Sequence, residues 1–356
     1  QNRIEILYFF ILIFTGLIIW RFIHLKIFTT NQFNKNAIII SNSKNLESLI
    51  ADLKAADPFY NIKAYLNPNS LNNSELLAIS EINLSELQSF IINHKIKEIV
   101  IDNHKSSVIN VELYNKLLYF VENGVEVKEY NQVYEDLTNR VPVHHFLKDF
   151  YVFFPFSRNN NNKLYNIYVR LFDIFFSLIV LSFLVVLTPV LLILNLFANK
   201  GSFFYTQERV GENGKVFNII KLRTMVKDAE AQGAAFAVKN DVRITPFGKL
   251  LRKTRLDEVP QVLNVLKGEM SVIGPRPERP IFVDQISKNI PFYNTRHYIK
   301  PGLTGWAQVN HNYTDNIDDA LIKLQYDLYY IKKRNFFLDV NIIIKTISTV
   351  LYFKGQ

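Results

Sequence analysis

The chain has 356 residues, enough for two domains with separate cores, and nearly half of them are apolar. It contains no cysteine, which excludes a disulfide framework and a thiolate metal site. The formal net charge of +9 asks for an anionic partner; with no zinc-finger, homeodomain or RNP signature and with the cations beside apolar segments, a phosphorylated substrate or a membrane surface fits better than nucleic acid.

Residues 6–20 are almost wholly apolar and no small-residue cleavage site comes after them, so residues 1–30 read as a transmembrane helix rather than a signal peptide. The first residue is Gln1, not Met, and the expectation is that upstream sequence with further spans precedes it. Arg21, His24, Lys26 and Lys35 lie after the apolar run against only Arg3 before it, which places the chain beyond residue 30 in the cytosol by the positive-inside rule.

Residues 31–135 form a separate unit. Strands are expected at 37–40, 62–66, 97–102 and 125–130, with helical spacing at 45–53, 84–92 and 111–122, the last ending at Asn123-Gly124. Such a βαβ series predicts a parallel, Rossmann-like sheet. The turn after the first strand, "SNSKN", has none of the glycines that bring a backbone close to a pyrophosphate, which favours a structural or regulatory role. Residues 131–165, with "RNNNNK" in them, read as connecting chain, the domain boundary falling near 135.

Residues 174–197 are long and apolar enough to cross a bilayer, yet Lys163 and Arg170 precede them and Lys200, Arg209 and Lys215 come after. Cations at both ends are best satisfied if both ends stay on one side. Thr188-Pro189 lies inside the run, and a proline there removes a helix hydrogen bond and crowds the carbonyl of Val185. The pattern alone admits both a helix–break–helix dipping into one leaflet and an ordinary kinked span.

After residue 200 the chain turns polar. "QERVGENGKVFNIIKLRTM" reads as a hairpin around Glu212-Asn213-Gly214 whose second strand puts Lys221 and Arg223 on one face. With Arg252, Lys253, Arg255, Arg276, Arg279, Arg296 and Lys300 they make a density of cations suited to a diphosphate pocket. In "TRLDEVPQVLNVLKGEM", Pro260 suits a first helical turn and Gly268 the C′ stop, so Asp257 and Glu258 fall at a helix N-terminus. A lone Asp there is a helix cap. A second, adjacent acid points another way, so the two can hold separate roles, and nearby cations keep both ionised. One nucleophile and one ligand for a hard metal such as magnesium would serve phosphoryl transfer. The last segment, residues 318–353, alternates apolar and basic residues at helical spacing and fits interfacial helices and core packing equally.

"QERVGENGKVFNIIKLRTM", "LDEVPQVLNVLKGEMSVIGPRPERP" and "RHYIKPGLTGWAQVN" resemble the bacterial sugar transferase family, the monotopic polyprenyl-phosphate phosphoglycosyl transferases, over roughly residues 165–356. The resemblance implies an α/β Rossmann-like domain after a transmembrane helix, then an α+β membrane-associated catalytic domain at 201–356. It also implies a re-entrant helix at 166–200 with its kink at Thr188 and Pro189, and interfacial helices. Larger members carry several helices before the Rossmann-like domain and usually a serine where Thr188 stands; this chain differs in both respects. Carried over by position, Asp257 is the nucleophile that attacks the sugar-bearing phosphorus of a UDP-sugar and expels UMP, and Glu258 is the Mg2+ ligand. Undecaprenyl phosphate then accepts the phosphosugar. Arg276, between two prolines, binds the diphosphate, with Lys221, Arg223 and Arg296 as further contacts. The implied location is the bacterial inner membrane, against inner-leaflet lipid, with the catalytic domain cytosolic; homo-oligomerisation is left open. Trp306, beside two glycines, reads as a packing residue as readily as a nucleotide contact. Two rivals remain: a glycosyltransferase that would release UDP, and a non-catalytic scaffold in which the acids are caps. Neither the sugar nor the glycan is legible.

Overall fold

The computed structural model describes residues 2–28, 35–41, 46–67, 79–102, 110–143, 157–199, 201–227, 229, 241–311 and 317–351. They divide into two compact units, Gln1–Thr138 and Asn139–Gln356.

The first unit begins with helix α1 (Asn2–Phe28), whose residues from Tyr8 to Trp20, apolar but for Thr15, are exposed. Its sheet comprises β1 (Lys35–Ile40), β2 (Tyr60–Leu66), β3 (Ser80–Glu81), β4 (Glu98–Ile101) and β5 (Glu126–Glu129), all parallel, in the order β3-β2-β1-β4-β5. Helices α2 (Leu46–Ala56), α3 (Leu87–Asn93), α4 (Val111–Glu122) and α5 (Tyr130–Thr138) cover it. The period of two decides the packing. Ile38 and Ile40 join Leu87, Leu113 and Phe120 in one cluster, while Ala37 and Ile39 join Leu49, Leu53 and Tyr130 in another. Each such isoleucine contributes about 1.5–3 kcal/mol through its burial. The expected strands and helices are in place, and Gly124 takes φ +83 as a C-cap should. The two-residue β3 was not foreseen, and the "SNSKN" turn lies almost wholly outside the described residues.

The connecting segment is the first correction. Residues 130–138 are a helix whose Tyr130, Val133 and Tyr134 bury against the first sheet. Val141 and Val143 belong to the core of the second unit, and "RNNNN" forms a short helix, Arg158–Asn161, with Ser157 Oγ and Asn159 Nδ2 donating to the Arg334 carbonyl. Its polar composition concealed a segment that spends its side chains on backbone acceptors.

In the second unit Lys163–Ala198 is one helix of 36 residues that stays helical on both sides of Pro189. One missing rung does not end so long a helix; the Thr188 hydroxyl donates to the Leu184 carbonyl at 2.7 Å. Among the described residues this is the helix long and apolar enough to cross a membrane. A stripe along it is nevertheless packed. Arg170 donates to the carbonyls of Val265 and Leu266, Asp173 accepts from Ser271 Oγ and Val272 N, and Leu184 and Leu191 join Leu222 and Leu251. At the far end Asn199 donates to Arg223 O and accepts from Thr245. The opposite face, with Phe175, Phe183, Val186, Val190, Ile193 and Phe197, is exposed.

The hairpin forms as expected from β6 (Phe204–Val210) and β7 (Val216–Leu222), and a second, parallel pair joins β8 (Ser271–Ile273) to β9 (Gly302–Thr304). Two helices, Ile317–Lys333 and Phe336–Leu351, close the chain. Leu324, Leu328, Ile331 and Ile342 are buried in the core while Phe337, Ile344 and Ile347 are exposed, so this segment is core on one side and apolar surface on the other.

Candidate active site

The acids do not head an α-helix. Arg255 turns the chain at φ +58, Leu256–Gln261 is a 3₁₀ turn containing both acids and Pro260, and the α-helix starts only at Val262, ending at Gly268 with φ +84. Asn264 explains the displacement. Fully buried, it accepts from Ile220 N at 3.1 Å and donates to Asn218 O at 2.8 Å, taking the place of a strand neighbour along β7. The short helix is thereby fastened to the hairpin, and the preceding turn is carried up to Lys221.

"GPRP" is set by a backbone crossing. A Cβ on Gly274 would lie 2.3 Å from Lys300 O, one on Gly302 2.1 Å from Gly274 N, and one on Gly305 2.1 Å from Gly274 O. Only glycines let "IGPRP" and "KPGLTG" approach this closely. Gly302 N then donates to Pro275 O, and Arg296 Nη2 donates to Arg276 O at 3.0 Å, so the backbone from which Arg276 projects is held on two consecutive carbonyls.

These elements meet at Glu258. Its Oε1 accepts from Lys221 Nζ at 3.1 Å and Arg276 Nη2 at 2.7 Å, and Arg255 Nη1 stands 3.8 Å from Oε2. Burial would raise its pKa, but Arg276 and Lys221 outweigh it and hold the carboxyl well below its usual range. Asp257 is 8% exposed, and its Oδ1 is buried without a hydrogen-bond partner. Burial, and then the charge of Glu258, push it up to about 6, against Lys221, Arg252 and Arg255. Adjacent carboxylates are thus split, one clamped as an anion and one with a buried oxygen left unpartnered. Both are ionised at neutral pH, Asp257 with the smaller margin.

Of the sequence-predicted site residues, Asp257, Glu258, Arg276 and Lys221 come together. Arg223 and Arg296 do not join them. Arg223 lies past the end of β7, where the chain leaves the strand, and donates to Ser202 O and Oγ. Arg296 is buried, with Asp327 Oδ2 at 2.7 Å and Tyr293 Oη at 2.7 Å, so its fork is committed to supporting Arg276 rather than a ligand. Trp306 is a packing residue, stacked on Tyr329 and donating to Asn139 O. One residue was missed and another was named only among the general cation density. Arg209, a strand residue on the "QERVG" side of the hairpin, donates to Pro277 O and Gln207 Oε1 and keeps a buried Nε without a partner. Arg252 donates to Thr224 Oγ1 and helps to counter the rise in the pKa of Asp257.

No group of three or more His, Cys, Asp or Glu side chains fit to hold a metal occurs among the described residues. Magnesium asks for less, one or two carboxylates completed by substrate phosphates. Glu258 Oε2, 3.8 Å from Arg255 Nη1, and the unpartnered Asp257 Oδ1 are two hard donors of that kind.

Residues 164–353, more than half of the chain, match the bacterial sugar transferase family. The chain is similar to a UDP-N-acetylgalactosamine-undecaprenyl-phosphate N-acetylgalactosaminephosphotransferase of Aeromonas hydrophila, 42% identical over 230 residues, 64% of this chain and 52% of the relative. A UDP-glucose:undecaprenyl-phosphate glucose-1-phosphate transferase of Xanthomonas campestris pv. campestris is 43% identical over 157 residues, 43% of this chain and 32% of the relative. An exopolysaccharide production protein of Rhizobium leguminosarum bv. phaseoli is 39% identical over 194 residues, 51% of this chain and 94% of the relative. The chain thus spans about half or less of the length of the first two. A match over most of the second unit, falling on the elements that assemble the acid pair, establishes that the chain belongs to the bacterial sugar transferase family.

Proposed function

We propose that this protein transfers a sugar-1-phosphate from a UDP-sugar to undecaprenyl phosphate, opening the assembly of a surface polysaccharide. The observation that carries the reading is the split acid pair: an Asp257 carboxylate with a buried, unpartnered Oδ1 beside a Glu258 anchored by Lys221 and Arg276. An Asp257 oxygen attacks the sugar-bearing phosphorus, forming an acyl phosphate, and the bond to the bridging oxygen breaks with its electron pair going to UMP. An oxygen of undecaprenyl phosphate then attacks the same phosphorus, the acyl–phosphate bond breaks, and the Asp257 carboxylate is restored. Lys221, Arg276 and Arg209 neutralise charge on the phosphates. Glu258 would hold magnesium, which supplies electrostatic stabilisation to the transferring group when bound.

A re-entrant placement of the long helix is part of the proposal. Arg170 and Asp173 near one end and Asn199 beyond the other bond to the same compact unit, which supports both ends lying on one side of the membrane. Cysteines at Lys163 and Ser202 should both be labelled from the cytosolic face alone. Periplasmic labelling of either would mean a true span.

The reaction is tested by its nucleotide. Membranes holding the full chain, given undecaprenyl phosphate and a panel of UDP-sugars, should release UMP and form a diphosphate-linked sugar lipid. Release of UDP would assign sugar transfer without phosphate instead.

A further inference from the structure

Two stretches of chain build the site, and one short segment joins them. The turn that carries Asp257 and Glu258 runs into the helix Val262–Lys267, while β8 begins at Ser271 and runs on into Gly274, Pro275 and Arg276. The spacing of Glu258 and Arg276 therefore depends on how residues 265–272 are held. The long helix holds them at both ends. Arg170 Nη1 and Nη2 donate to the carbonyls of Val265 and Leu266, each at 2.6 Å, in the last turn of the short helix, where carbonyls have no partner within the helix itself. Asp173, only 3% exposed, accepts from Ser271 Oγ at 3.0 Å and from Val272 N at 2.8 Å. Residues three apart share a helix face, so one turn of the long helix clamps both ends of the segment, with a cation on its carbonyls and an acid on its donors. Ser177, fully buried, continues that face.

The opposite face of the same turns is apolar. Leu171, Phe175 and Leu178 are each more than half exposed and recur at helical spacing. In the re-entrant placement this face meets acyl chains, so lipid lies on one side of these turns and both halves of the acid site on the other. We propose that Arg170 and Asp173 are positioning residues that link leaflet contact to the site: lipid around Leu171, Phe175 and Leu178 fixes the long helix, and the clamp passes that placement on to the spacing of Glu258 and Arg276. The inference rests on the proposed reaction and its re-entrant helix, and adds a regulation of that site by the surrounding lipid. Small motions suffice, because a misplacement of about 1 Å can cost up to about 10²-fold in rate.

The test follows the first half of the reaction alone, since it needs no lipid acceptor. Formation of labelled phosphosugar adduct on the full chain is timed without undecaprenyl phosphate, in phospholipid nanodiscs and in detergent micelles, per folded molecule. The wild type should form adduct faster in nanodiscs. Arg170→Gln and Asp173→Ala should slow adduct formation in nanodiscs about tenfold, the scale of a lost positioning contact, and abolish the difference between the two environments. The UDP-sugar concentration at half-maximal rate should stay near the wild-type value, because the phosphate-binding side chains are untouched. Arg170→Lys and Asp173→Asn keep a charge or an acceptor in place and should recover part of both the rate and the lipid response, which also covers the case in which the harsher variants fail to fold. Equal wild-type rates in nanodiscs and micelles overturn the inference. So do wild-type rates in all four variants, or slowed variants that keep the full lipid response. A wild-type chain that forms no adduct in either environment would sink the proposed reaction instead, an outcome distinct from any of these.

Discussion

Each unit holds a glutamate against a cation, and the two serve different ends. Glu98, at the start of the interior strand β4, is 2% exposed, accepts from the Tyr60 hydroxyl and pairs with Lys128 at 2.9 Å. The next residue in its strand is Ile99, which is fully buried. Glu258 is gripped just as firmly, by Lys221 and Arg276, but its neighbour is a second acid with an unpartnered oxygen. Burial and pairing of a carboxylate are therefore not signs of chemistry in themselves. What separates a site from a structural pair is the adjacent group that the fold has desolvated and left unsatisfied, because that group still has a bond to make.

The sharpest way to break the contrast is Asp257→Asn. A covalent nucleophile has no substitute, so turnover should fall to background, and no labelled phosphosugar should be trapped on the protein when the lipid acceptor is withheld. An undiminished adduct would return Asp257 to the rank of Glu98. Glu258→Gln should come next, with a loss of roughly 10²–10³-fold as an electrostatic stabiliser is removed, and with altered magnesium dependence. It carries a pH signature too. Protonation removes the Asp257 nucleophile, so activity should fall as pH drops through about 6. The charge of Glu258 is one cause of that elevation, so in Glu258→Gln the acid limb should move to lower pH. A limb that stays in place would mean that another group sets it.

Arg296→Lys is a milder probe. It keeps a charge opposite Asp327 but gives up the fork that reaches Tyr293 and the Arg276 carbonyl. Arg276 is then less well placed, and kcat/KM should fall by roughly tenfold, as for the loss of a single positioning contact. A loss as large as that of Arg276→Ala would make Arg296 a ligand of the diphosphate after all.

The two units also differ in how far they can be read from sequence. Strands and helices of the sheet unit are legible in residues such as Ile38, Ile39 and Ile40, because a buried parallel strand needs only a short apolar run between turns. In the second unit the acid pair and Arg276 stood out by residue type and motif. Their geometry did not, because it depends on partners far away in the chain. Asn264 reads as one polar residue in a helical stretch, yet it holds the edge of β7. Arg296 looked like a free cation because Asp327, which neutralises it, is 31 residues away. Arg209 and Arg252 carried no signal beyond their charge, and the polar run at 158–162 gave no sign that Asn159 and Asn160 would be anchored to the carbonyls of Arg334 and Ile331.

The smallest expected effect lies on the other side of the comparison. Tyr60→Phe removes one hydrogen bond to Glu98 and leaves the Lys128 ion pair in place. A buried acceptor that loses a donor costs about 1–3 kcal/mol, and because Lys128 still serves Glu98 the lower end applies here. Amides of β1 and β4, whose strands lie between Tyr60 and Lys128 in the sheet, should exchange with solvent faster by the factor that this loss sets, since local opening draws on the same contacts. Turnover per folded molecule should not move, because nothing around Glu98 is left unsatisfied by the change in a way that touches phosphorus chemistry. If Tyr60→Phe instead lowered turnover on the scale of Glu258→Gln, while exchange in β1 and β4 stayed as in the wild type, the parallel sheet would be a participant in catalysis and not a support.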